Sequence, residues 1–352
     1  MKASFGLLEQ VLGHVRDREH FIEGSVASLG DARSFEGNSA VVIDLLTSRS
    51  SSPAVALFKR KLLDNLYARH RNEADTTIKS VYGSLLSVYQ TVTGDRRHPA
   101  IDKDFPLDDT IFRLPFDRLF TAEGEGGYVH RMFMRLDEDV DAVATYASFR
   151  GLMRARGASI REERHYVVYR IATRGRFIEI FANKPTALGV INGIADITAA
   201  LRGLRVETVI GRGHTSIVKL MKESAKHVLG DRITGVAAVF VGSCGGDASV
   251  RDLIGTFGYR SYLTTRSTGR LLLNNAIIAS YIIALMALPH NSRLLLDDVL
   301  ARATEPYMRG GVNADLRDDA SFYRVSVTTA LTAQLFDTHV RRIAEPDRQV
   351  AQ

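Results

Sequence analysis

Tryptophan is absent from the 352-residue sequence, and Cys244 is its one cysteine. A single cysteine excludes an intramolecular disulfide framework and is typical of a protein in a reducing compartment. The first residues, MKASFGLLEQVLGHVRDREHF, lack the long apolar run of a signal peptide. We therefore predict a cytoplasmic protein.

Several motifs of enzymes and binding proteins are also missing. The sequence has no G-x-S-x-G, no H-E-x-x-H and no cluster of cysteines and histidines. These absences argue against a serine hydrolase of that type and against a metal enzyme, so no cofactor and no metal are expected. The net charge of +6 is spread along the chain, without a basic tail or an RRM-type signature. The sequence therefore gives no clear sign of nucleic-acid binding.

One apolar segment, residues 271–288, is about as long as a membrane crossing requires (LLLNNAIIASYIIALMAL). A membrane helix is the alternative for this segment. Asn274 and Asn275 lie within it, however, and it directly follows a predicted strand, which favours a helix buried inside an α/β domain. Contact with a membrane is therefore not expected, and we expect core positions at Ile277, Ile282 and Leu285.

The rest of the chain is rich enough in apolar residues, 45% of the total, to form a sizeable core. Residues 1–125 are predicted to form a helical N-terminal module, with two helices within 53–92. A glycine-rich joint at 121–128 marks the predicted boundary. An α/β domain over 126–300 and a C-terminal extension over 301–352 follow.

Strands and helices alternate from residue 128 onward. Strands are predicted at 128–136, twice within 165–185, and at 205–216, 235–244 and 260–266. Helices are predicted at 141–156, 186–204, 217–231, 247–258 and 271–288. This alternation indicates βαβ units and a mostly parallel sheet flanked by helices, the α/β class.

Two reactive side chains end consecutive predicted strands. His214 follows the strand that begins at Arg205, and Cys244 follows the next. If these strands are neighbours, their ends lie about 5 Å apart. A base beside a thiol, with glycine amides free to hold an oxyanion, is what nucleophilic cysteine catalysis requires. The alternative is a buried core cysteine and a hydrogen-bonded structural histidine.

The stretches VETVIGRGHTS and VAAVFVGSCGGDASVRDLI resemble the caspase-like fold of clan CD cysteine peptidases, which includes caspases, clostripain, gingipains and bacterial CHAT-domain proteases. The resemblance covers about 128–290. It implies a caspase-like sheet, His214 as general base and Cys244 as nucleophile. Amides of Thr215, Cys244 and Gly245 would then hold the oxyanion. The family has a glycine directly after the histidine, where this chain has Thr215.

The resemblance also implies a substrate-binding segment, YLTTRSTGR, at 262–270. Arg266 and Arg270 would favour an acidic first substrate residue, because guanidinium groups pair with carboxylates. Asp247, or the acids at 137–141, would favour a basic one, which is the preference we expect. The candidate substrate-binding residues are Asp247, Thr264, Thr265 and Arg266.

Other interpretations of the same residues remain open. The acids at 137–141 are also typical of a helix N-terminus, and Asp247 of an N-cap. Gly242–Gly246 matches the cysteine form of the nucleophile elbow, G-x-C-x-G, in a hydrolase or amidotransferase whose base follows the nucleophile, as His290 or His339 does.

The sequence thus predicts a cysteine-dependent endopeptidase that acts on a peptide or protein substrate. The N-terminal helices are a candidate surface for a regulatory protein partner. A non-catalytic scaffold or binding protein with the same fold is the alternative from another functional class.

Overall fold

A computed structural model describes most of the chain up to residue 308 and one later strand. The described residues are 11–12, 14–31, 42–43, 45–46, 53–95, 98–107, 109–111, 113–124, 126–173, 175–265, 268–308 and 323–325. The chain divides into two compact units: Met1–Asp109 with Thr328–Gln352, and Thr110–Val327. His339 lies outside the described residues, as does most of the predicted C-terminal extension.

Helices make up the described elements of the first unit: α1 (Arg18–Leu29), α2 (Pro53–Asn72), α3 (Thr76–Thr93) and α4 (Pro99–Asp104). The helical pattern of 53–92 is thus confirmed as two helices. Asp17 caps α1 by accepting a hydrogen bond from the His20 amide, and α2 begins at Pro53, a position that tolerates proline because its missing N–H has no intrahelical partner.

The second unit alternates strands with helices. In chain order its elements are β1 (Arg113–Pro115), α5 (Phe116–Leu119), β2 (Thr121–Glu123), β3 (Gly127–Leu136), α6 (Val140–Ala155), β4 (Ser159–Glu162), β5 (Tyr166–Thr173), β6 (Arg176–Asn183), α7 (Ala187–Ala200), β7 (Thr208–Arg212), α8 (Ile217–Leu229), β8 (Ala238–Val241), α9 (Val250–Phe257), β9 (Ser261–Thr265), α10 (Leu271–Ala287), β10 (Arg293–Leu295), α11 (Leu296–Met308) and β11 (Tyr323–Val325).

Nine of the described strands form one sheet in the order β11-β9-β8-β7-β3-β6-β5-β4, with β2 paired to β3. The central strands β9, β8, β7, β3 and β6 run parallel, and β11, β5, β4 and β2 are antiparallel to their partners. The predicted mixed α/β architecture with a mostly parallel sheet is confirmed. The predicted joint at 121–128 contains β2 and the first two residues of β3, so it lies within this sheet.

Helices cover the sheet on both faces. Along β7, the side chains alternate between the two. Thr208 bonds to Tyr281 of α10, while a Cβ at Gly211 would meet Met221 of α8 at 2.8 Å. Helices α10 and α8 therefore lie on opposite sides of β7.

Most of the apolar segment 271–288 forms α10, which is largely buried. Ile277, Ile282 and Leu285 are at most 2% exposed, so the expected core positions are confirmed. Within the described residues, every helix falls short of the length or apolar character that a membrane crossing needs.

Candidate active site

The carboxyl ends of three neighbouring strands assemble the candidate site. β7 lies between β3 and β8, and all three run parallel. The Gly242 amide still bonds to the Gly211 carbonyl, 3.1 Å away, just beyond the paired strands. His214 follows β7 by two residues and Cys244 follows β8 by three, so the prediction that they end adjacent parallel strands is confirmed. Functional groups in open parallel sheets gather at this edge.

One hydrogen bond connects the loops that carry these residues, and a second connects the sulfur to the segment before α10. The Thr215 hydroxyl donates to the Cys244 carbonyl at 3.2 Å, which joins the histidine loop to the cysteine loop. The Gly269 amide lies 3.4 Å from Cys244 Sγ and donates to it. Among the described residues, no hydrogen bond joins the sulfur to the His214 imidazole. The half-buried thiol thus has a backbone donor, and the imidazole lies in the loop next to it.

Two carboxylates face the imidazole of His214. Its Nε2 lies 3.5 Å from Asp141 Oδ2 and 3.8 Å from Asp139 Oδ2. The His214 side chain is 61% exposed, so solvent screens these contacts. Both contacts are to Nε2, and among the described residues no carboxylate lies within ion-pair distance of Nδ1.

The acids after β3 also have structural roles. Asp139 is the N-cap of α6 and accepts a hydrogen bond from the Ala142 amide at 2.6 Å. Asp137 accepts hydrogen bonds from the Glu138 amide and from the Ser216 hydroxyl. The group therefore begins a helix, as one interpretation of the sequence predicts, and it also brings negative charge to the imidazole.

Glycines shape both loops. Gly213 has φ +155°, and a Cβ there would lie 3.0 Å from Cβ of Asp137. Gly245, next to the cysteine, has φ +64°, a left-handed conformation that favours glycine. The chain leaves β8 through this turn and a short 3₁₀ segment, Gly246–Ser249, before α9.

The start of α9 differs from one sequence interpretation. Ser249, not Asp247, occupies the N-cap position of α9, without a side-chain capping bond. Asp247 lies in the preceding 3₁₀ turn, where the structure describes its backbone but not its side chain. The four-residue turn delays the start of the helix, so the helix is not immediately adjacent to the cysteine.

Two consecutive asparagines in the first turn of α10 hold the strand ends that lead to the candidate pair. Asn274 Nδ2 donates to the Gly242 carbonyl at 2.9 Å, two residues before Cys244. Asn275 Oδ1 accepts from Arg212 Nη1 at 3.0 Å, two residues before His214. Both asparagines are at most 6% exposed. One helix turn thus fixes both loops.

Arg212 is a buried cation at this edge. It is 2% exposed, and burial lowers its pKa to about 10. Its hydrogen-bond partner among the described residues is Asn275, which is neutral. A buried guanidinium without a paired carboxylate depends strongly on the hydrogen bonds it does make, so Asn275 matters to the position of β7.

Tyr323 of β11 completes the support around the cysteine loop. Its hydroxyl donates to Asn274 Oδ1 at 3.0 Å and accepts a hydrogen bond from the Arg270 amide at 2.8 Å. The segment containing Gly269, whose amide meets the thiol, is thereby tied to the same asparagine that holds Gly242.

Two of the four predicted substrate-binding residues are buried in the sheet. Thr264 and Thr265 lie in β9 and are fully buried, so in this conformation neither side chain can contact a substrate. Both threonines belong to the end of β9 that pairs with β11, beyond the residues that pair with β8. Arg266 lies outside the described residues. Arg270 is exposed, directly before α10.

His290 lies far from Cys244. Its ring stacks on Phe116 at 4.3 Å and meets Tyr128 at 4.6 Å. Tyr128 is at the amino end of β3, whereas Cys244 follows the carboxyl end of a parallel neighbour. The structure therefore does not bring Cys244 together with His290, one of the two bases of the G-x-C-x-G interpretation; the other, His339, lies outside the described residues.

Sequence reasoning missed Gly269, Asn274, Asn275 and Tyr323 as parts of the site. The asparagines did carry a signal, because amides in an otherwise apolar buried helix need hydrogen-bond partners. Gly269 and Tyr323 reach the site only through tertiary pairing, which no local pattern indicates.

None of the family models, curated proteins or solved structures compared with this chain matches it.

Proposed function

We propose that this protein is a cysteine-dependent hydrolase of peptide bonds, a peptidase with a caspase-like arrangement of strands. The observation that carries the proposal is the placement of Cys244 and His214 in adjacent loops, joined by the Thr215–Cys244 hydrogen bond. A thiol and an imidazole at one sheet edge are the two groups that covalent catalysis by cysteine needs.

The reaction follows from these groups. The Cys244 thiol gives its proton to His214, and the thiolate attacks the substrate carbonyl to form a tetrahedral oxyanion. The imidazolium then protonates the leaving amine, and an acyl-enzyme remains. Water, deprotonated by His214, hydrolyses the thioester and frees the enzyme. Asp139 and Asp141, at 3.8 Å and 3.5 Å from Nε2, stabilise the imidazolium formed in between.

Backbone amides next to the nucleophile supply the donors for the oxyanion. The chain turns at Gly245 in a left-handed conformation, and preorganised backbone donors account for a large share of catalysis in acyl transfer. Amides of Cys244 and Gly245, with that of Thr215 from the facing loop, are the proposed set.

The acids beside the imidazole favour a substrate with a basic residue at the cleavage site. Asp141 is largely exposed, so its carboxylate remains accessible to a substrate cation. In the described part of the chain, Arg270 is the exposed cation of the predicted substrate segment, and Tyr323 holds its backbone. Arg270 would favour an acidic residue, so the preference for a basic first residue rests on Asp139 and Asp141 beside the imidazole.

Labelling with acyloxymethyl-ketone probes that differ in the first residue tests this proposal. Wild-type protein should be labelled on Cys244, with the fastest labelling by lysine or arginine probes. Cys244→Ala should abolish labelling, and His214→Ala should slow it at least tenfold. His227→Ala, which changes an exposed histidine of α8, should leave the rate unchanged. Labelling at equal rates in His214→Ala and wild type would refute the catalytic pair.

A non-catalytic scaffold is the second candidate. The observation that favours it is the Cys244 thiol, which accepts a hydrogen bond from the Gly269 amide rather than bonding to the imidazole. In that case no probe would label Cys244 faster than a small-molecule thiol at the same pH.

A further inference from the structure

A groove opens between α6, α10 and α11, and it shares Asn275 with the support of the candidate active site. Its volume is about 360 Å³, within the range of small-molecule sites. Its polar lining consists of Ser148, Arg156, Asn275, Ser280, Arg302 and Tyr307. All of these residues belong to the second unit.

The described lining of the groove is positively charged. Arg156 and Arg302 are both exposed, and neither pairs with a carboxylate in the part of the chain that the structure describes. The lining residues include no aspartate or glutamate. Arg212 adds a third, buried cation behind Asn275. Arginine is well suited to bind carboxylate and phosphate oxygens in pairs.

The neutral polar groups of the groove also favour an acceptor. Ser148 Oγ accepts a hydrogen bond from Asn275 Nδ2 at 2.9 Å, so its own proton is left to donate. The hydroxyls of Ser280 and Tyr307 supply further donors. Donors and cations together, without acids, suit an anionic ligand.

The remaining lining is apolar. Leu152, Leu272, Ala276 and Pro306 contribute to it, and Leu272 is 52% exposed although it belongs to the first turn of the apolar helix α10. Apolar walls with a few convergent polar groups are typical of sites for small organic molecules. An inorganic anion would leave these walls uncovered.

We propose that this groove is a binding site for a small organic anion, with a phosphate or carboxylate head held by Arg156 and Arg302 and an apolar body against Leu152 and Leu272. The site goes beyond the proposed peptidase activity and does not depend on Cys244.

Calorimetric titration of the full-length chain with phenyl phosphate tests the site. Benzoate replaces the phosphate head with a carboxylate. Inorganic phosphate tests the head without the apolar body, and phenol tests the body without a charged head. Phenyl phosphate or benzoate should bind at least tenfold more tightly than phenol or inorganic phosphate. Cys244→Ala should bind equally well, so that a failure of the peptidase proposal leaves this result unaffected.

Variants locate the binding. Arg156→Gln with Arg302→Gln should weaken binding at least tenfold, whereas Arg154→Gln with Arg202→Gln, exposed positions outside the groove, should change it less than twofold. Ala276→Leu should weaken it by filling the groove. If the two double variants bind phenyl phosphate equally tightly, the proposal is overturned. It is also overturned if phenol binds to the wild-type protein as tightly as phenyl phosphate does. Absence of binding by both organic anions at about 10 mM, a concentration at which even weak millimolar sites are occupied, would overturn it as well.

Discussion

At the residue scale, Asn274 and Asn275 connect the fold to the proposed chemistry. Asn274 donates a hydrogen bond to the chain just after β8, which leads to Cys244. Asn275 accepts one from the last residue of β7, which leads to His214. Buried amides of this kind are retained only where their hydrogen bonds are satisfied, so their position in an apolar helix is explained by what they hold.

Replacing Asn275 should therefore destabilise the protein. Asn275→Ala removes the acceptor for the buried Arg212 guanidinium and leaves Ser148 without its donor. Losing a hydrogen bond to a buried charged group costs roughly 2–3 kcal/mol. Urea denaturation measures the loss. Ser280→Ala, a half-buried position of the same helix, should change the free energy of unfolding by less than about 0.5 kcal/mol. Equal effects of the two substitutions would contradict the role given to Asn275.

Gly269 allows a second prediction at this scale. A Cβ at this position would lie 2.3 Å from the Gly242 carbonyl oxygen, so Gly269→Ala should push the Gly269 amide away from Cys244 Sγ. We expect a lower midpoint of urea denaturation and a changed rate of thiol alkylation. Gly255→Ala in α9, where a Cβ would meet nothing within 4 Å, should be neutral or stabilising by up to about 1 kcal/mol. A neutral Gly269→Ala would show that this close approach is not needed.

At the scale of elements, local patterns predicted most of the fold and less of the site. The alternation after residue 128 indicated the strands and helices, and it brought His214 and Cys244 to neighbouring strand ends. The predicted lengths of β7 and β8 were too long: β7 ends at Arg212 and β8 at Val241, so the two reactive residues lie in the loops that follow. The pairing of β11 with β9 at Thr264 and Thr265, which are both buried, joins segments separated by a long stretch of chain. No local pattern records such a pairing.

The helix α10 supplies the prediction that belongs to this scale. Leu285 is fully buried and Ile283 is 47% exposed on the same helix. Leu285→Ala should lower the free energy of unfolding by about 2–5 kcal/mol, because it leaves a cavity in the core. Ile283→Ala should lower it by less than about 1 kcal/mol. Thermal and urea denaturation compare the two, and losses of similar size would contradict the orientation of this helix.

At the scale of the whole molecule, two buried titratable groups in the sheet act on stability in opposite directions. Burial lowers the pKa of His130 from 6.5 to about 3 and raises the pKa of Glu207 from 4.5 to about 7. The Leu119 carbonyl and the Thr208 hydroxyl bond to the His130 ring. Glu207 accepts hydrogen bonds from the Thr121 hydroxyl and the Arg131 amide.

These directions fix the pH dependence of stability. The neutral form of His130 contributes stability that is present above pH 6.5 and is lost as pH falls toward 3. Protonated Glu207 contributes stability that is present below pH 4.5 and is lost as pH rises through about 7. Between the two unfolded values the effects offset each other.

The substitution Glu207→Gln should separate the contribution of Glu207 to the pH dependence of stability from that of His130. The amide keeps an acceptor for the Arg131 amide but cannot ionise, so the variant should lack the loss of stability at rising pH. Relative to wild type, its free energy of unfolding should increase between pH 4.5 and 8 by up to about 3 kcal/mol. Urea denaturation at several pH values measures this change. A difference between variant and wild type that does not vary with pH would contradict the assignment.

The whole sheet also brings the proposed nucleophile and base to one edge, and the rate of Cys244 alkylation tests that pairing most directly. Iodoacetamide at pH 6 should modify wild-type Cys244 faster than it modifies a free thiol, because His214 in the adjacent loop takes the thiol proton. His214→Ala should slow the reaction at least tenfold, while His227→Ala should match wild type. Equal rates in His214→Ala and wild type would contradict the account.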